Sequence, residues 1–65
     1  MNWELYEVWA EDDVGHQELV DTTKSLKEAQ ALAKITIDAE GIEAVFIYQE
    51  TEDGDLKEIE RLTLY

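Results

Sequence analysis

The 65 residues contain no cysteine, no proline, one histidine, one serine and five basic residues against seventeen acidic ones. Without cysteine there is no disulfide staple and no thiolate zinc site. With one serine, one histidine and no nucleophile-elbow context, a nucleophile–base pair has almost nothing to build on. Ser25 is better used as a helix cap, and His16 falls in a turn. No apolar run approaches the roughly 18–20 residues that span a bilayer. Met1-Asn2-Trp3-Glu4 lacks the basic-then-apolar order of a signal peptide. The expectation is a soluble, cytoplasmic protein that is not an enzyme and uses no cofactor.

The formal net charge is −12. Such a surface is repelled by phosphate backbones and anionic membranes, so neither nucleic acid nor membrane is expected as a direct partner. A basic protein partner is compatible with it, and so is an acidic surface that serves only solubility. At 45% hydrophobic with six aromatic residues, the chain is too apolar for a disordered tail. Its length allows one domain, residues 1–65, that buries only about 60% of the surface exposed by the unfolded chain.

Gly15, Gly41 and Gly54 divide the sequence into hairpin, helix and hairpin. Trp3 to Ala10 is rich in aromatic and branched residues that alternate in part with Glu, a strand signal, and Gln17 to Asp21 reads as its return. Ser25 followed by Glu28 fits a capping box, Leu26 to Glu40 are mostly good helix formers, and Gly41 supplies a left-handed stop. At 100° per residue Leu26, Ala29, Leu32, Ala33, Thr36 and Ile37 share one face, and Ile35 lies off it. Ala44 to Glu50 and Leu56 to Tyr65 are strands joined at Asp53-Gly54, read as a two-residue turn. That register pairs Glu50 with Lys57, Phe46 with Arg61 and Val45 with Leu62. It puts Val45, Ile47, Leu56, Leu62 and Leu64 on one face. Phe46, Tyr48, Ile59 and Tyr65 fall on the other.

The order is ββαββ: an α+β fold, a four-stranded mixed sheet with one helix on one face. This order resembles the β-grasp group, most closely in length the immunoglobulin-binding domains of streptococcal protein G. The resemblance implies that the first and last strands lie parallel and adjacent at the sheet centre. The Asp53-Gly54 hairpin and the S-L-K-E-A-Q-A-L-A helix are also similar to small acidic proteins of Gram-positive bacteria and their phages. Neither resemblance brings an activity or a binding residue.

Carboxylates are plentiful, but one helix on one sheet offers little of the concave volume that tunes a catalytic pair. Neither acidic turn, Glu11-Asp12-Asp13 with His16 or Glu52-Asp53-Asp55, matches a calcium-loop pattern, and no metal site is assigned. Thr22-Thr23-Lys24-Ser25 opens the helix without the glycines of a phosphate cradle.

Two features remain. Tyr6, Val8 and Ala10 suit the layer beneath the helix, which leaves Trp3, Trp9, Phe46 and Tyr48 on the open face. That much aromatic surface predicts docking of a protein partner or a homodimer, unless twist or register tucks one Trp into the core. Alternatively, Glu11, Asp12, Asp13, Glu50, Glu52, Asp53, Asp55, Glu58 and Glu60 form an acidic surface. Carboxylates spaced like the phosphates of a duplex would present a DNA-mimic inhibitor to a basic nucleic-acid-binding protein.

Overall fold

A computed structural model describes residues 5–64. Trp3 and Tyr65 therefore lie outside the described residues. The chain runs β1 (Tyr6–Asp12), β2 (Gln17–Thr23), α1 (Leu26–Ile37), β3 (Ile42–Glu50) and β4 (Leu56–Thr63). The four strands form one sheet in the order β2-β1-β3-β4, and every neighbouring pair is antiparallel. The fold is α+β, with α1 packed on one face of the sheet.

The sheet is not mixed, and the first and last strands are not neighbours. β3 takes the central place beside β1, and β4 goes to the edge. Composition accounts for this. Ala44, Val45, Phe46 and Ile47 are buried in succession, so β3 is apolar on both faces and gains most from neighbours on both sides. β4 carries Lys57, Glu58, Glu60 and Arg61 and is exposed over most of its length, which suits an edge.

Ser25 caps the helix: its Oγ accepts the Glu28 backbone N–H at 3.1 Å, satisfying one of the first-turn donors that lack a helical partner. The helix ends at Ile37 with Asp38 as its C-cap, three residues short of the Glu40 that propensity suggests. Thr36 accepts the Ala39 N–H and Ala39 accepts the Ile42 N–H. These tight turns bring Gly41 to a φ of +87°, where a side chain is costly.

Ala29 and Ala33 are fully buried against Tyr6, Val8, Val45 and Ile47, with Leu26, Leu32, Ile37, Ile42 and Leu62 around them. Two alanines on consecutive turns let the helix backbone lie close to the sheet. Ile35 points away and is 72% exposed. The largest wholly buried side chains are Ile47, Val8 and Val45; each adds about 1.5–3 kcal/mol of burial free energy.

Both hairpins close through three-residue loops. Asp12 N–H donates to His16 O at 3.0 Å, and Thr51 N–H donates to Asp55 O at 2.8 Å. The two-residue turn at Asp53-Gly54 is therefore corrected. It would need positive φ at both residues, and Gly54 has it (+85°) while no described non-glycine residue does. The shorter register survives beyond a bulge at Ile59, where the ladder shifts between Ile47 and Tyr48. Phe46 faces Arg61 and Val45 faces Leu62 as expected. Near the turn, Gln49 faces Lys57 and Glu50 faces Leu56, which moves Leu56 to the open face.

The first hairpin repeats this geometry. Gly15 (φ +84°) occupies the place of Gly54, and a bulge at Val20 occupies the place of Ile59. The two ladders match pair for pair, and a local two-fold axis passes through the Val8–Ile47 pair. This repeat is one of backbone, with little trace in the side chains.

Gly54→Ala is expected to lower stability by about 1–2 kcal/mol in urea unfolding, because a Cβ is strained at that φ although space around it is open. Ile47→Val should cost about 0.5–1.5 kcal/mol. A neutral Gly54→Ala would contradict the three-residue loop.

Candidate functional site

The sheet face opposite α1 is built from the odd positions of β1 and the even positions of β3. Because directly opposed residues share a face, its side chains sort into rows that cross all four strands. The central row is Leu19, Trp9, Phe46 and Arg61. On one side stands Thr22, Glu7, Tyr48 and Glu58; on the other, Gln17, Glu11, Ala44 and Thr63.

The structure thus brings Trp9, Phe46 and Tyr48 together. The Phe46 and Tyr48 rings stack at 6.2 Å between centroids, and the Arg61 guanidinium lies 5.2 Å from the centre of the Phe46 ring. Phe46 is only 8% exposed. Trp9 and Tyr48 are half-buried, while Leu19 is 48% exposed. Trp9 Nε1 donates to Glu7 Oε1 at 2.9 Å. The indole N–H is thereby satisfied within the chain. Trp9 is not tucked beneath the helix, and no described element covers this face.

The nine acids do not form one surface. β1 and β3 run antiparallel, so the two hairpin tips stand at opposite ends of the sheet, apart by about the length of β3, roughly 30 Å. Asp13 is exposed at one tip, and Glu52 and Asp53 at the other. Asp12 holds the first loop in shape, since its Oδ1 accepts the backbone N–H groups of Val14 (3.0 Å) and His16 (2.8 Å). Glu11 sits on the open face and accepts from Gln17 Nε2 at 3.0 Å. Glu50 ends β3 opposite Leu56, and the Asp55 carbonyl closes its loop with Thr51. Glu58 Oε1 pairs with Arg61 Nη2 at 3.1 Å. Glu60 turns to the helix side, where it lines a cleft of about 240 Å³ with Gln30, Lys34 and Leu62.

Sequence reasoning misses Leu19 and Arg61 as members of the aromatic row, and Glu7 as the partner of the indole. The expected register does pair Arg61 with Phe46, so that signal is present in the sequence. Leu19 can be placed opposite Trp9 only once the first loop is known to hold three residues.

His16 and Glu18 approach to 3.3 Å on an exposed strand end. Among the described residues, no three His, Asp or Glu side chains gather to hold a metal ion, and no helix is long and apolar enough to cross a membrane. No protein-family model matches the chain, and neither does any curated protein or solved structure.

Arg61→Ala is expected to lower stability by about 0.5–1 kcal/mol through loss of the cation over the Phe46 ring. Glu58→Gln should cost less, since the two side chains of the pair are 58% and 41% exposed. Chemical denaturation of both variants checks the order. A larger loss for Glu58→Gln would show that the ion pair, not the ring contact, holds Arg61.

Proposed function

We propose that this chain is a non-enzymatic interaction module that binds a protein partner, or a second copy of itself, through the open sheet face. The observation that carries this is the four-strand row Leu19–Trp9–Phe46–Arg61, apolar over three strands and covered by no described element. Large aromatic side chains near the centre of a patch with a polar rim are the usual anchors of protein interfaces. In this reading Trp9, Phe46 and Tyr48 contact the partner, and the surrounding acids supply solubility and selectivity. The setting is cytoplasmic, in keeping with the lack of cysteine. No cofactor, metal, nucleic acid or membrane enters the reading.

The DNA-mimic reading draws its support from the net charge, but the division of the nine acids between the two sheet ends and both faces weakens it. A neutral apolar probe separates the two. Benzyl alcohol followed by NMR should shift the Trp9 indole, Leu19 and Tyr48 signals more than those of Ile35 and Val14. The response should be the same at low and high salt and should fall by at least half in Trp9→Ala. Equal shifts at Ile35 and Val14, which are single exposed apolar residues, would contradict an interface at the row. Under the mimic reading, a basic partner would instead lose affinity with salt and on charge reversal at Asp53 and Asp55.

A further inference from the structure

Resting on that reading, we infer that the occupant of the open face is a short basic amphipathic helix of another protein, lying along the row Leu19–Trp9–Phe46 and crossing the strands.

The two-fold relation between the hairpins is what isolates the row. It maps Leu19, Trp9, Phe46 and Arg61 onto Glu58, Tyr48, Glu7 and Thr22. The backbone thus offers two equivalent rows, and the sequence makes one apolar and the other acidic. The result is one narrow apolar stripe, Leu19–Trp9–Phe46 with Tyr48 stacked beside it, that runs over three strands and ends at Arg61 on the fourth; its length is about 10 Å from strand spacing. Two turns of helix, about 11 Å, match that length, and residues at i, i+4 and i+7 present a ridge of the same width.

Charge selects the sign of the partner. Glu7 and Glu58 flank the stripe on one side and Glu11 on the other, while Arg61 is the one cation in the three rows. A helix with Lys or Arg beside its apolar ridge would meet Glu7 and Glu11, and beside them Glu58, which Arg61 already pairs. A second copy of this chain would instead oppose them with three more. The stripe also offers far less area than the roughly 800 Å² per partner of a stable protein pair.

An added strand is a poorer occupant. Both edge strands carry a bulge, at Val20 and at Ile59, and charged side chains, which are the features that discourage edge pairing. The other sheet face shows that this sheet accepts a helix, since α1 already lies across β1 and β3 there.

The test uses the whole chain and three synthetic peptides of equal length. One places Leu at i, i+4 and i+7 among Lys. The second replaces each Lys by Glu. The third keeps the Lys composition but carries a central Pro that breaks the helix. NMR titration is expected to show the Lys peptide shifting Leu19, the Trp9 indole, Phe46 and Arg61. The Glu and Pro peptides should bind at least tenfold more weakly.

Leu19→Lys should weaken the Lys peptide at least tenfold. Ile35→Lys, which adds the same charge on the far side of the molecule, should change it less than threefold. Equal binding of the Pro peptide, equal loss in the two Lys variants, or shifts confined to residues 13–15 and 52–54 would overturn the helix and leave only nonspecific attraction. Absence of binding, with self-association that Leu19→Lys abolishes, would also overturn it while the open face remains an interface. Absence of binding with a monomer at every concentration would remove both.

Discussion

A twelve-residue helix has one apolar stripe, and a sheet has two faces. Everything distinctive in this molecule follows from that mismatch. α1 lies close to β1 and β3 because Ala29 and Ala33 let its backbone approach, and the residues it shields, Val8, Val45 and Ile47, have no exposed surface at all. The opposite face receives no such cover among the described residues. There the chain limits exposure locally, stacking Tyr48 and Arg61 against Phe46 and bonding the Trp9 indole to Glu7. A domain of this size holds few buried groups in reserve, so large side chains left on an uncovered face are a cost to solubility that an interaction would offset.

The second organising feature is the two-fold relation between the hairpins. The same loop length, the same left-handed glycine and the same bulge recur in each. Bulges increase local twist and interrupt pairing, so their placement on β2 and β4 shapes the sheet and blunts both edges together. Side chains break the relation on both faces: a helix covers one, and the other has an apolar row beside an acidic one. The acidity is therefore not uniform. Part of it serves turn geometry, as at Asp12, part flanks the aromatic row, as at Glu7 and Glu11, and part is simply exposed at the loop tips.

Much of the architecture is legible in the sequence because the signals are local. The capping pattern places Ser25 correctly, and periodicity alone does the same for the alanine pair and the off-stripe Ile35. The small, aliphatic character of the layer beneath the helix draws Tyr6, Val8 and Ala10 to that side, and with that come the open positions of Trp9, Phe46 and Tyr48. What escapes is non-local or depends on a single backbone angle. Strand order is set by competition among strands for the centre, and a resemblance in element order does not decide it; β3 wins through its continuous buried run. The Asp53-Gly54 signal fits a two-residue or a three-residue loop, and only the sign of φ at Asp53 distinguishes them. The two-residue reading puts Leu56 on the wrong face for that reason. The nine acids look like one array because sequence distance does not reveal that the two tips point in opposite directions.

The central claim is that one face of this sheet is covered and the other is open in the isolated chain. Signal loss in the presence of a neutral, soluble gadolinium chelate measures it most directly, residue by residue. The side chains of Leu19, Trp9 and Tyr48 are predicted to be strongly attenuated, with those of Val8, Ala29, Ala33, Val45 and Ile47 untouched. Comparable protection of Trp9 and Val8 in a chain shown to be monomeric would contradict the account.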